Sequence, residues 1–401
     1  MISESDARAK ILEAIRPLPP RKMSILQTLD HFAAEDYFAR LPLPMFDNSA
    51  MDGYAVIASD CSPRRILPSA DKSGPRLRVV GEQPAGIDRN LSVSNGEVIR
   101  IFTGAPMPKG ADAVVMQEDV TRDGDEIVVT ANVDVGEFIR KRGCDLSEGQ
   151  KIVGKGDRLR TTVIGLLASQ GFSEIAVGSE VRAAIISTGD ELVKPGEKLQ
   201  PGQIYDSNSV LLQSLLRRAG SIVTSIQHCG DDAKSLRKAF ESNAKHEIMV
   251  VTGGVSVGEH DLARSTLRDL GAKIDIWRVA VKPGKPFLFG QLGSCFVFGL
   301  PGNPVSAFVT FLQFVRPAIL KMMGANDFDL PQIPAKLKVD LANESDRAHY
   351  VRGKLEKGTF APIGRQESHA LFGLSQSNAL LRVDSGAALK AGETVQVQIW
   401  D

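Results

Sequence analysis

Acidic, basic and glycine residues gather in short groups along this chain, and the residue types in each group restrict the chemistry it can do. In TGGVSVGEHD, Thr252 to Asp261, the pair Gly253 and Gly254 follows an apolar run. Such a pair lets the backbone approach a ligand closely, and the helix start that follows offers free N–H groups to an anion. A plain strand-to-helix turn would use the same pair. Ser256, Glu259 and Asp261 in this loop favour a phosphate-and-metal site. A carboxylate beside a phosphate is repulsive without a cation, so Asp261 implies Mg²⁺, which takes one or two carboxylates plus phosphate oxygens and water. STGDEL, Ser187 to Leu192, contributes Ser187, Gly189, Asp190 and Glu191 at the end of another apolar run. Singly, its acids read as helix caps or a solvated turn. Together with Asp206 in IYDSNS and Asp231 in GDDAKS they form a series at one sheet edge, which suits a polar, metal-assisted site. Arg278, Lys282 and Lys285 lie within eight residues in WRVAVKPGKPFLFG, where prolines and Gly284 stiffen the loop. Rigid cations make a phosphate or oxyanion clamp, and a solvated basic turn is the alternative. GLPGNP adds Pro301, Asn303 as an N-cap and Pro304 at the first helical position, a further anion-binding turn that is weak by itself.

Two more polar groups stand apart. PMFDNSAMDGYAV, Pro44 to Val56, packs Asp47, Asn48, Ser49 and Asp52 between apolar flanks, and in IRKRGCDLSEGQ the cations Arg140, Lys141 and Arg142 precede Asp145. An Asx-type turn and a surface ion-pair loop are their bland counterparts. The six histidines show no HxH or HExxH spacing, which argues against zinc. GxGxxG, GxxxxGK[ST] and GxSxG are all missing, so hydride transfer, P-loop hydrolysis and serine-hydrolase chemistry find no support.

The elements that must position these groups follow from periodicity. Two helices, Glu4 to Ile15 and Ser24 to Arg40, are expected on either side of Pro17, Pro19 and Pro20, with Ser24 as an N-cap. From Pro44 to about Asp145, short alternating strands separated by turns predict an all-β module, and Thr161 to Gln170 returns to a helical pattern. The module thus reads as an insertion into a helical domain. Between about Val181 and Gly324, apolar runs alternate with helical patterns, as in a parallel sheet covered by helices. Ligands of such sheets bind at the carboxyl ends of the strands, where the STGDEL, TGGVSVGEHD and GLPGNP loops fall. From about Leu330 the chain alternates again, as in a small β-barrel. The expected domains are therefore 1–44 with 146–180 (helical), 45–145 (inserted, β-rich), 181–328 (α/β) and 329–401 (β-barrel). The fold class is multidomain α/β plus β.

Composition narrows the function classes. With 48 basic and 48 acidic residues in 401 the net charge is zero, which disfavours a general nucleic-acid or membrane-surface binder. Four scattered cysteines without a CxxC pair point to a reducing, cytoplasmic setting. The N-terminus is polar and reads as carrying no signal peptide, and the most apolar segment, Ala307 to Leu320, reads as too short and too interrupted for a membrane span.

Taken in order, FDNSAMDGYAV, IRIFTGAPMPKGADAVVMQED, IRKRGCD, STGDEL, GQIYDSN, TGGVSVGEHD, KPGKPF and GLPGNPVSA resemble the MoeA family of molybdopterin molybdenumtransferases, to which the E domain of gephyrin also belongs. The resemblance runs from about Leu41 to Phe311. It implies a homodimer, an α/β domain of the molybdopterin-adenylyltransferase type, and a reaction in which adenylyl-molybdopterin and molybdate give molybdenum cofactor and AMP with Mg²⁺. It further implies that Asp52 and Asp145 act from the partner subunit, and that Thr103 and Glu191 occupy motif positions tied to function. Asp261, Glu191 and Asp52 would be metal ligands, and Arg352 and Ser368 ligand contacts. Three positions depart from the family pattern: Arg278 where lysine is frequent, Cys144 where an acid is common, and LDHFAAEDYFA in place of a GRVLAED-like segment. A guanidinium is planar and bidentate, so the first departure bears on anion geometry.

Other readings compete with the enzyme: a dimeric pterin- or peptide-binding scaffold, a tungstate-selective paralogue, and an adenylyltransferase that makes the activated pterin. The retained acids favour turnover over a scaffold. The FDNSAMDG module argues against the adenylyltransferase.

Overall fold

The computed structural model describes residues 1–61, 74–254 and 262–400. They form two compact units, one of residues 1–35, 154–164 and 173–401, the other of residues 36–153 and 165–172. Ser256 and Asp261 lie outside the described residues.

The first unit is built on a six-stranded sheet in the spatial order Ile222–Cys229, Arg182–Thr188, Ile248–Thr252, Cys295–Leu300, Leu288–Leu292, Lys273–Ile276. The first four are mutually parallel, and Leu288–Leu292 runs antiparallel to both its neighbours. Strand Arg182–Thr188 leads through helix Ser207–Arg218 to one side, and strand Ile222–Cys229 then leads through helix Ala233–Asn243 back to the other side, at Ile248–Thr252. This reversal creates a crevice beyond Thr188 and Thr252. Strand Ile248–Thr252 is buried at every position, as expected of a strand covered on both faces.

Helix Pro304–Thr310 continues through a π-helical turn, Phe311–Val315, into helix Arg316–Met322. Pro317 accounts for the wide turn, because it lacks the N–H that would bond to the Gln313 carbonyl and its ring crowds that carbonyl. Together the 19 residues Pro304–Met322 are long and apolar enough to cross a bilayer, which corrects the expectation that this segment is too short. Most of them are instead buried within the unit as its core helix.

The C-terminal strands close on themselves: Ala348–Glu356, Thr359–Pro362, Gln332–Leu337, Thr394–Ile399, Ala379–Val383 and back to Ala348–Glu356. The result is the expected small barrel. Strand Val281–Lys282, from the loop between two strands of the α/β sheet, adds to it in parallel, placing Lys282 opposite His349. Helix Glu4–Ala14 docks through Glu4, which accepts hydrogen bonds from the Tyr350 hydroxyl and, at 3.0 Å, from Arg382 Nε.

The helix expected over Ser24 to Arg40 does not form. Arg21–Ser24 is a strand paired antiparallel with Glu174–Val177, a single 3-10 turn covers Ile25–Gln27, and Asp30 has φ of 65°. A left-handed residue ends any helix, and strand pairing supplied the backbone partners that helical periodicity had suggested. Ser24 accordingly makes no side-chain cap bond. The helix expected from Thr161 is present as Thr161–Ser169.

The second unit contains a six-stranded sheet in the order Ala113–Met116, Gly53–Val56, Glu97–Ile101, Arg76–Gln83, Glu126–Val129, Val120–Asp123. Its core is Tyr54, Val56, Val98, Val115 and Ile127 with their neighbours. A Cβ on Gly53 would sit 1.9 Å from the Val115 carbonyl oxygen, so only glycine permits this pairing after Asp52.

Candidate functional site

The strand reversal of the first unit opens a cleft of about 850 Å³. Its position obeys the rule that open α/β sheets bind ligands at the topological switch point. Glycine-rich turns form the floor. Gly189, Gly253 and Gly254 have φ of 146°, 82° and 58°, conformations that side chains disfavour. A Cβ on Gly253 would lie 2.2 Å from the Thr188 carbonyl oxygen, and one on Gly254 2.7 Å from Thr188 Cγ2. These contacts require glycine to bring the two loops together.

Polar side chains then line the floor in fixed poses. Thr188 Oγ1 donates to Asp231 Oδ1 at 2.7 Å, and the Asp231 N–H donates to Asp190 Oδ1 at 3.1 Å. Asp231 and Glu191 face the cleft, while Asp190 buttresses it from behind. Asp206 also lines the cleft, but its carboxylate caps helix Ser207–Arg218, with Oδ1 accepting from the Ser209 N–H at 3.0 Å and Oδ2 from the Ser209 hydroxyl at 2.6 Å. These two bonds fix the helix start. Two residues on, Asn208 Nδ2 donates to Thr252 Oγ1 at 2.9 Å and to the Gly302 carbonyl at 2.7 Å. The Gly302 contact fixes the amide orientation, since a carbonyl can only accept. This leaves Asn208 Oδ1 buried in the cleft wall without a hydrogen-bond partner. An unpaired buried acceptor costs about 1–3 kcal/mol, which a ligand N–H or a cation would offset.

Pro301, Asn303 and Pro304 line the same cleft, and Asn303 Nδ2 donates to Ser368 Oγ at 2.9 Å. Asn303 is the N-cap of helix Pro304–Thr310, as expected, with extended backbone but no side-chain cap bond. Ser187 does not reach the cleft: it is fully buried within the sheet, 3.2 Å from His228 Nδ1. Asn208, Thr252, Tyr205, His369 and Leu371 line the cleft although the sequence reading named none of them as site residues. Asn208 was within reach of sequence reasoning, because it follows the capping Asp206 by two residues. His369 and Leu371 arrive from the barrel and carry no local signal.

The expected cation clamp lies beside this floor. Arg278, Lys282 and Lys285 belong to the loop that ends at the cleft-lining Pro286, but do not themselves line the cleft. Strand pairing instead gathers Lys282 with the barrel's Arg347, His349 and Arg352. Burial, then the nearby charges of Lys282, Arg352 and Arg347, push the His349 pKa down to about 4. Arg352 is 1% exposed and donates to the Arg365 carbonyl, while its Nε is buried without a partner. Unpaired buried donors beside a cation-rich strand suit an oxyanion.

In the second unit, three sequence groups converge. The register Gly53↔Ile101 sets Asp52 beside Thr103, whose N–H and hydroxyl donate to Asp52 Oδ1 at 2.7 and 2.8 Å. These two bonds hold the Asp52 carboxyl below its usual pKa. The pairing Ser49↔Ile139 and Asn48↔Arg140 brings in the Arg140 to Asp145 loop. There Asp47 accepts from the Arg142 N–H at 2.8 Å and Lys141 Nζ at 2.9 Å, which lowers its pKa too. Asp145 is exposed and its N–H donates to the Leu43 carbonyl at 3.0 Å. Asp52 and Thr103 thus form one exposed polar pair, and Asp145 is a second exposed acid of this unit. Among the described residues, no group of three or more His, Cys, Asp or Glu side chains forms a ready metal site.

Three family descriptions match along the chain: MoeA N-terminal region (domain I and II) over residues 2–171, probable molybdopterin binding domain over 184–321, and MoeA C-terminal region (domain IV) over 334–400. The chain is 34% identical to the molybdopterin molybdenumtransferase of Haemophilus influenzae, covering 99% of this chain and 98% of the relative. It is also 34% identical to molybdopterin molybdenumtransferase 2 of Mycobacterium tuberculosis, over all of both chains. A molybdopterin biosynthesis MoeA protein from Pyrococcus horikoshii superposes over the full length of both chains with a TM-score of 0.84 at 29% identity. The glycine-built cleft, the closed barrel and the Asp52 unit thus occur together in a chain that belongs to the MoeA family.

Proposed function

We propose that this chain is a molybdopterin molybdenumtransferase that inserts molybdate into adenylyl-molybdopterin and releases AMP. The observation that carries the reading is the cleft at the switch point, whose glycine turns and orphaned Asn208 Oδ1 suit a ligand combining phosphates with N–H-bearing rings. Gly189, Gly253, Gly254 and the Pro301 to Pro304 turn bind the phosphate-bearing part. Lys282, Lys285, Arg278 and Arg352 draw in the oxyanion, and Ser368 fixes Asn303 against the cleft. As an oxygen of water or molybdate bonds to the adenylyl phosphorus, the anhydride P–O bond breaks, the pterin phosphate departs as leaving group with the molybdenum-bearing pterin, and AMP is released.

Mg²⁺ fits the donors at the cleft. Glu191 and Asp231 both face it, and an ion completed by phosphate oxygens and water needs only one or two carboxylates. Asp261 would add a third. When bound, the ion supplies charge neutralisation for the phosphates. The working form is a homodimer in which Asp52, Thr103 and Asp145 serve the cleft of the partner subunit. There Asp52, kept ionised by Thr103, orients metal or molybdate. The reaction belongs in the cytoplasm, a setting that free thiols at Cys61, Cys229 and Cys295 suit.

Reconstitution tests the proposal. The purified protein, given adenylyl-molybdopterin, Mg²⁺ and molybdate, should generate cofactor that activates a molybdenum-free apoenzyme. Tight pterin binding without activation would favour the scaffold, and activation with tungstate alone the tungstate-selective paralogue.

A further inference from the structure

A second cavity, of about 560 Å³, lies in the first unit and shares no lining residue with the cleft. Its apolar floor includes Phe311, Leu312, Leu320, Leu330 and Trp400. Phe311 and Leu312 come from the π-helical turn of the core helix. The Trp400 indole is held by an edge contact with Phe308, with ring centroids 5.0 Å apart, and its carbonyl accepts from Arg218 Nε at 2.9 Å. Above this floor stand Arg158, Arg217, Arg218 and Arg316, against one acid, Asp30. Asp30 reaches only Arg158, at 3.8 Å.

Arg316 is half-buried. It projects from the core helix, donates Nη1 to the Phe328 carbonyl at 2.9 Å, and forms no ion pair among the described residues. Burial and the neighbouring Arg158 push its pKa down to about 10. Asp327 and Asp329 offset this only in part, so the guanidinium can still take a further anion. Guanidinium forks match oxyanions in two-point geometry, and a volume of this size accommodates a small molecule.

We propose that this cavity binds an amphipathic oxyanion, a compact apolar body that rests on Phe311 and Trp400 and carries a phosphate or carboxylate held by Arg316 and Arg158. The site stands independently of the transferase reading, because none of its residues lines the cleft. Its occupant would brace the core helix against the barrel strand that ends at Ile399.

Trp400 reports on it directly. The chain has two tryptophans, so a Trp277→Phe background isolates its fluorescence. Phenyl phosphate and benzoate serve as probes, one for each headgroup, with benzyl alcohol and inorganic phosphate as controls lacking charge and apolar body respectively. At least one anionic probe should quench Trp400 saturably, about 10-fold more tightly than either control. Arg158→Gln and Arg316→Leu should each weaken that binding about 10-fold. Near-UV circular dichroism checks that the variants are folded, and Arg158→Gln alone decides if Arg316→Leu is not. Quenching equal for benzyl alcohol, quenching unchanged in Arg158→Gln, or none at millimolar probe would overturn the proposal. The last outcome includes a second copy of the chain covering the cavity.

Discussion

Asp52 and His349 show how individual residues are tuned by what surrounds them. Asp52 takes two hydrogen bonds from Thr103 and stays ionised, although it is exposed. Replacing it by asparagine keeps the shape, removes the charge and leaves the sheet untouched, so turnover should fall on the order of 10²-fold with an unchanged melting temperature. Steady-state kinetics beside calorimetry would check both halves. His349 is the opposite case, buried and held neutral with a pKa of about 4 against an ordinary value of 6.5. Because the folded pKa is lowered, the unfolded chain binds the proton more readily. Stability is then full above pH 6.5 and declines as pH falls toward 4, by about 1–3 kcal/mol. Denaturant titrations between pH 7 and 5, above the range where most carboxylates titrate, should show this slope in the wild type and a flatter one in His349→Gln. Both acids of the Asp52 and Asp145 groups stood out in the sequence, since polar residues there exceed what a hairpin needs. His349 did not, because its setting comes from strand Val281–Lys282 joining a barrel that begins some fifty residues later in the chain.

At the scale of elements, the site depends on turns that only glycine can make. Gly253→Ala would place a methyl group against the Thr188 carbonyl oxygen in a left-handed conformation. We expect a loss on the order of 1–3 kcal/mol, together with weakened substrate binding measured by calorimetric titration. Gly96→Ala, equally left-handed but with open space around it, should cost less and leave binding unchanged. The strands, helices and glycine turns of the α/β sheet were legible, since continuous apolar runs ending in Gly-rich loops have few other interpretations. The Ser24 to Arg40 segment was misread for a physical reason. Its apolar spacing fits a helix, but Ser24 pairs with Glu174 and Tyr37–Phe38 with Lys151–Val153, partners more than a hundred residues away that no local signal announces. The capping role of Asp206 was likewise hidden: an acid before a helix can cap or bind, and only the Ser209 contacts decide.

For the whole molecule, the account requires two chains. If Glu191 of one subunit works with Asp52 of the other, co-expressed Asp52→Asn and Glu191→Gln chains form mixed dimers with one intact site and one doubly altered site. Random pairing should then restore roughly a quarter of wild-type turnover from two inactive parents, as closed two-fold symmetry dictates. Sedimentation of the mixture would confirm the dimer, and no recovery would place both residues in one chain's own site. The central claim is molybdate insertion coupled to loss of AMP. Its most direct measurement is AMP released from adenylyl-molybdopterin by the purified protein with Mg²⁺, in the presence and absence of molybdate. The account predicts molybdate-dependent release matched one to one by cofactor formed. Bound substrate that yields no AMP under either condition would contradict it.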